Sequence, residues 1–462
     1  PFYRPLYPYF NPEAEKHWIN VGGLTKAENG NYALWKTVNE AGNAKWWTVV
    51  APGTNIDSST VGSEGEPGYS NTYSGTSMAA PHVTGAMGVL MSRYDQMNAI
   101  QVRTVLFTTA THENPDGSII DGWENSDGTM PAEGEVSDRM GWGLVDLEKG
   151  MYGPGQLIDK FEYDMAAGSL DVWSNDISEV ALNQREREDK AWAAAAQKWL
   201  KNPTLTLGAE YTDEEKKLIG DILLDTSDDL VGLDEDQEEI SEKDAIAWRK
   251  AYFEKRLQAI ADRAYNGSLV KRGEGTLIMT GHNTYEGGTI VEGGTLWGFN
   301  DSFGVTITEE KAVENGKVTV KGGSFGIMNS YNDEFTQKGQ ITNSTENDTV
   351  PHSVDITVEN GGTYLLSAGE TISIGDIKFE EGALVTVGST NADALKRAVD
   401  GAAVETTLKA DSVTGLTDDM FTDDALAFFD TELTYDAVTG EITAKTEVNE
   451  GSFTAYGSSS NA

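Results

Sequence analysis

The sequence predicts three kinds of structure in succession: an α/β layer over residues 1–157, a small acidic helical unit over 158–266, and a coiled sheet over 267–462. Strand-like apolar runs alternate with helical patterns in the first part, as in an α/β layer. A capping box and apolar residues at helical spacing mark helices in the middle. Short β-branched runs separated by glycine pairs fill the last part. That is the pattern of a solenoid, whose rungs bury their faces only by stacking.

Composition narrows the function classes. With 75 acidic against 34 basic residues the formal charge is −41, which disfavours nucleic acid and anionic membranes as partners. The chain has no cysteine, so disulfides and thiolate metal sites are excluded. No run of 18 apolar residues is present, and Pro1-Phe2-Tyr3-Arg4 does not read as a signal peptide.

In the first part, Trp18–Leu24 and Trp46–Val50 read as strands, the second broken by Ala51-Pro52-Gly53 and continued in extended form over Thr54–Ser58. A polar, glycine-marked turn then delivers Ser77 onto the start of a helix running to about Arg93. Ala79, Ala80, Val83, Ala86, Met87, Val89, Leu90 and Met91 leave that helix almost no polar face, which predicts burial all round. Backbone N–H groups in a first helical turn lack intrahelical partners and favour negative charge, the setting that an attacking serine and a developing oxyanion require. A plain N-cap serine is the bland alternative. Pro81 falls where the free-donor turn ends, so its missing N–H costs little. A second helix is expected over Ala99–Ala110, with Asn98 and Gln101 at capping-box spacing. Residues 111–140, rich in Asp, Glu and Gly, read as a surface loop, and Gly141–Leu147 as a turn and strand.

Gly75-Thr76-Ser77-Met78-Ala79-Ala80-Pro81-His82-Val83 closely resembles the nucleophile signature of the subtilisin-like serine proteases. Asn11–Val21, Val50–Gly53, Gly141-Trp142-Gly143 and Met151–Pro154 follow the order seen in subtilases carried by bacterial autotransporters. The resemblance implies that 1–157 is the C-terminal half of a subtilisin-like catalytic domain, with Ser77 as nucleophile and as one backbone oxyanion donor. The family orders its triad Asp, His, Ser, with an oxyanion-hole Asn between the last two. Nothing before Ser77 resembles the Asp or His motifs. His17 lies in the wrong context, and the motif histidine His82 reads as structural. His112, His282 and His352 follow the serine. A serine without a positioned base is a weak nucleophile. Either the Asp, His and Asn come from an upstream segment or companion chain, or the scaffold is dead. Without that half, residues 1–157 are expected to expose the helix that carries Ser77.

In the middle part, Asp171–Ser178 resembles the segment leading out of the protease domain in autotransporter passengers. Helices are expected at about 182–201, with Trp192 and Trp199 seven apart, from Thr212 with its capping-box Glu215, and from Ser241 to about Tyr265. The acidic stretch invites a calcium site at Asp225, Asp228, Asp229, Asp234 and Asp236. As an EF-hand it fails, with Leu230 at position six and Asp236 at position twelve, so a solvated loop is the expectation and no cofactor is required.

In the last part, glycine turns recur at Gly287-Gly288, Gly293-Gly294, Gly322-Gly323, Gly361-Gly362 and Gly382 between period-two runs. The string Gly275–Thr289 closely resembles the repeat that marks autotransporter passengers. That resemblance implies a right-handed parallel β-helix stalk, with His282 a rung residue and not a ligand. It also implies an outer-membrane β-barrel translocator downstream. Residues 391–450 carry a weaker signal, with a helical excursion suggested over Asp418–Asp430. The reading as a whole is a secreted or surface-displayed endopeptidase of a Gram-negative bacterium, acting on protein and peptide substrates. Its alternative is a surface adhesin or structural passenger on a degenerate protease scaffold.

Overall fold

The computed structural model describes residues 4–61, 65–220, 242–304, 306–307, 313–332, 340–342, 353–390, 392–423, 426 and 428–449. The calcium candidates Asp225 to Asp236 and His352 lie outside the described residues. The chain divides into two compact units. One comprises Pro1–Val83, Thr111–Leu144 and Val180–Tyr265; the other comprises Thr84–Ala110, Val145–Glu179 and Asn266–Ala462.

The first unit opens with the one-turn helix α1 (Tyr7–Phe10) and is built on a three-stranded sheet. Strand β1 (Asn20–Lys26) pairs in parallel with β3 (Thr48–Pro52), Val21 opposite Val49, and antiparallel with β2 (Tyr32–Leu34). Leu24, Leu34 and Val50 from these strands pack with Ile120, Trp123 and Met140. Residues 111–140 are therefore not a surface loop throughout, because these three apolar side chains anchor them in the core. The Gly141-Trp142-Gly143 turn closes against β3, where Trp142 N–H donates to Thr48 O at 2.9 Å and Val50 N–H to Gly143 O at 2.8 Å. Gly141 has φ 67°, and a Cβ there would lie 2.2 Å from Thr48 O. Only glycine fits.

Two further strands, β4 (Ile56–Val61) and β5 (Pro67–Tyr73), form an antiparallel hairpin, and α2 (Thr76–Arg93) follows it. Helices α5 (Val180–Lys201), α6 (Asp213–Ile219) and α7 (Glu242–Ala261) occupy the middle of the chain. Trp192 and Trp199 of α5 each meet Phe253 of α7 edge-on at 5.1 Å. Thr212 and Glu215 form the expected capping box. Asp189 on α5 is buried and takes Arg263 Nη1 at 2.5 Å, Tyr265 Oη at 2.9 Å and Arg185 Nε at 3.1 Å. Burial pushes its pKa up, but Arg185, Arg263 and Arg256 outweigh that and hold it below the usual carboxylate range.

The second unit contains α3 (Ala99–Thr108), with the Asn98–Gln101 capping box in place, the short α4 (Leu147–Gly150), and two parallel sheets. Strands β6 (Lys160–Met165), β8 (Ser268–Gly273), β10 (Thr289–Val291), β14 (Gly316–Val320), β18 (Val354–Val358), β20 (Thr371–Phe379) and β22 (Val404–Thr414) run side by side in one sheet. In the other run β7 (Leu170–Trp173), β9 (Thr276–Met279), β11 (Thr295–Gly298), β15 (Gly323–Ile327), β19 (Gly362–Ser367) and β21 (Leu384–Gly388). The chain thus passes alternately from one sheet to the other. Leu277, Leu296, Phe325, Tyr364 and Val385 occupy one register position on successive strands, all buried. Gly294 turns the chain between sheets at φ 64°, where a Cβ would lie 2.3 Å from Gly275 O.

Because β6 and β7 pair with β8 and β9, the stretch 158–266 begins with strands of these sheets and is not helical throughout. Short excursions β12 (Thr306–Ile307) with β13 (Val313–Glu314), and β16 (Ser330–Asn332) with β17 (Gln340–Thr342), leave the sheets as antiparallel pairs. After helix α8 (Ala392–Val399), strands β23 (Phe429–Asp436) and β24 (Glu441–Val448) pair antiparallel beyond β22. Among the described residues, the excursion expected over Asp418–Asp430 is one 3₁₀ turn, Asp418–Met420, before β23 begins. Alternating Thr, Leu and Tyr in Phe429–Asp436 favour strand.

Candidate active site

Ser77 is the second residue of α2 and is exposed. The turn before it is set by backbone: Gly53 N–H donates to Leu24 O at 2.9 Å and Gly75 N–H to Gly53 O at 2.7 Å. The end of β3 thereby fixes the start of α2. Gly75 O then accepts from the N–H groups of Met78, at 2.9 Å, and Ala79, at 3.3 Å. The N–H of Ser77 meets no partner among the described residues. Free first-turn donors of this kind carry the positive end of the helix dipole and can stabilise an oxyanion.

One stripe of α2 is buried, made of Ala79, Val83, Ala86 and Leu90. The expectation of burial all round fails for the rest. Thr84, Gly85, Gly88, Val89, Met91 and Ser92 are exposed, Val89 by 43% and Met91 by 47%. Nothing lies within 4 Å of a Cβ built at Gly85 or Gly88. Val89 and Met91 thus leave an apolar face of α2 exposed.

A cavity of about 530 Å³ opens beside Ser77, walled by Ile56–Thr60 and Tyr73 of the hairpin and by Met78, Pro81 and His82 of the helix. The sequence predicts extended chain over Thr54–Ser58, and the structure makes Ile56–Ser58 part of one strand of this hairpin. The signal was present in two polar runs of strand propensity flanking Gly62–Gly65. His82 is the imidazole on the cavity wall, and its Nδ1 lies 2.8 Å from Met78 O, one helical turn back. His112 stacks on Trp123 at 4.9 Å, with Nε2 3.4 Å from Glu133. His282 Nδ1 lies 2.9 Å from Asp301 Oδ2, in the connections that follow β9 and β11. Neither lines the cavity. The cavity wall therefore carries the Ser77 hydroxyl beside a free helix N–H, with His82 as its imidazole and Asp57 as its carboxylate, and no hydrogen bond joins those two among the described residues. Among the described residues, no group of acidic or histidine side chains is arranged to hold a metal ion.

Comparison with known proteins follows the same division of the chain. Residues 4–143 match the subtilase family. Residues 269–297 match the passenger-associated transport repeat. Together the two matches point to a subtilase autotransporter passenger. The segment that bears Ser77 is thus of the subtilase family, and the glycine-punctuated strands β8 to β11 carry the transport repeat.

Among relatives, serotype-specific antigen 1 of Mannheimia haemolytica is 30% identical over 37% of this chain and 16% of its own. An extracellular serine protease of Serratia marcescens is 32% identical over 33% and 14%. The neisserial autotransporter lipoprotein NalP of Neisseria meningitidis is 23% identical over 80% of this chain and 25% of its own. The chain thus spans a quarter or less of the length of these relatives. Among the described residues, no helix is long and apolar enough to cross a membrane.

Proposed function

We propose that this passenger is part of a secreted or surface-displayed serine endopeptidase in which Ser77 attacks the scissile carbonyl of a polypeptide. The observation that carries the reading is Ser77 itself, exposed at the first turn of α2 with an unpartnered N–H and a cavity beside it. The Ser77 N–H then donates half of the oxyanion hole. A histidine base, its orienting aspartate and a second oxyanion donor come from an upstream segment or a companion chain that covers the exposed face of α2. No cofactor takes part. The two parallel sheets continue as a right-handed β-helix that holds the protease away from the cell, ahead of a β-barrel translocator. The relatives named as an extracellular protease and an autotransporter support this placement.

The test is labelling of the protein made from its complete natural gene with a fluorophosphonate. Labelling at Ser77 that disappears in Ser77→Ala is the expected result. A folded, complete protein that takes no label would leave the adhesin reading, which the engagement of His82 Nδ1 with Met78 O favours.

A further inference from the structure

Asp57 is the single carboxylate among the residues that line the cavity beside Ser77. Around it stand hydroxyls, from Ser58, Ser59, Thr60 and Tyr73, and the apolar flanks of Met78 and Pro81. Asp57 is exposed, and no hydrogen bond or ion pair engages it among the described residues. The backbone at this point is irregular: Ile56 pairs with Tyr73 and Ser58 with Ser70, so Asp57 alone faces both Asn71 and Thr72. Such slips bend a strand and re-aim its side chains, and they recur beside active sites.

We propose that Asp57 is a specificity-determining residue that pairs with a lysine or arginine side chain of the substrate, seated in this cavity next to the scissile bond. The proposal rests on the protease reading above. A long basic side chain suits the site because its methylene stem can lie along Met78 and Pro81 while its charged head meets the carboxylate. The hydroxyls supply acceptors for the donors that Asp57 leaves unpaired. The net charge of −41 also attracts cationic substrates, but that field acts on the whole substrate and does not depend on which residue carries the charge. Asp57→Asn changes the total by one unit and removes the local partner, so a preference confined to one substrate position separates the two effects.

The experiment uses the protein from its complete natural gene, as wild type and as Asp57→Asn, Asp57→Lys and Asp57→Glu. Each cleaves a peptide set in which a single lysine, methionine or glutamate is moved across the positions on both sides of the cut bond. The readout is the lysine-to-methionine cleavage ratio at each position, with fluorophosphonate labelling of Ser77 followed in the same preparations. The expected result is a lysine preference at one position that falls about fivefold in Asp57→Asn, persists in Asp57→Glu and turns toward glutamate in Asp57→Lys. A ratio that is the same in all four proteins, or a loss spread evenly over all peptides, would overturn the proposal while Ser77 still labels. Failure of the wild type to label would overturn the protease reading, and the role of Asp57 with it.

Discussion

The Nδ1 of His82 lies 2.8 Å from the carbonyl oxygen of Met78, so the imidazole donates back along the helix that carries Ser77. A histidine engaged in this way braces the first turn of α2 and is not set to take the serine proton from the same nitrogen. In the complete protein, Ser77→Ala is expected to abolish fluorophosphonate labelling. His82→Ala is expected to leave Ser77 reactive and to cost about 1 kcal/mol of stability, read as a lower melting temperature. A fall in labelling as deep as that of Ser77→Ala would make His82 the base.

Gly88 on the exposed face of α2 has nothing within 4 Å of a built Cβ. In the 462-residue chain alone, Gly88→Ala is therefore expected to raise stability by about 0.8 kcal/mol through helix propensity. In the complete protein the sign reverses if a second half-domain packs on this face, because there the added atoms meet a neighbour. Gly88→Trp is expected to abolish Ser77 labelling in the complete protein while the shorter chain keeps its circular dichroism spectrum. Equal tolerance in both would show that nothing covers α2.

What could be read in the sequence, and what could not, follows from the range of the interactions involved. The start of α2, the capping boxes at Asn98 and Thr212, and the glycine turns are local, and residues within a few positions decide them. Which face of α2 is the exposed one was not legible, because Val89 and Met91 carry the same apolar pattern as the buried Val83 and Leu90. The hairpin wall of the cavity was missed because Ser58, Ser59 and Thr60 have no apolar alternation to mark a strand. The anchoring of 111–140 through Ile120, Trp123 and Met140 depends on contacts with strands far away in sequence. Acidic composition concealed it.

Asp189 gathers Arg185 of α5, Arg256 of α7 and Arg263 just beyond α7. Removing its charge leaves three guanidinium groups short of a partner, so Asp189→Asn is expected to cost about 3 kcal/mol at neutral pH. The carboxyl has a lowered pKa in the folded state. Its contribution is therefore full above the ordinary value of 3.8 and is lost as pH falls through the folded-state value. Melting curves between pH 6 and pH 3 should show wild type approaching the variant only in the acid range. A constant gap down to pH 3 would remove Asp189 as the source.

Lys271 on β8 is fully buried, and its ammonium donates to the carbonyls of Arg272 at 2.7 Å, Gly293 at 3.2 Å and Gly273 at 3.3 Å. Burial lowers its pKa from the ordinary 10.5 to about 8, with Asp164 opposing the shift. Between those two values the unfolded chain holds a proton that the folded protein has released, so stability rises with pH across this window. The buried hydroxyls of Tyr285 and Tyr364 act in the opposite sense above pH 10, because burial raises their pKa values and the folded state keeps protons that the unfolded chain loses. Lys271→Met carries the same tyrosines and lacks the titrating amine. The stability of wild type relative to this variant is therefore expected to grow by about 2 kcal/mol from pH 8 to pH 10, measured by chemical denaturation at each pH. A difference that stays flat would mean that the amine keeps its proton throughout, held by the three carbonyls.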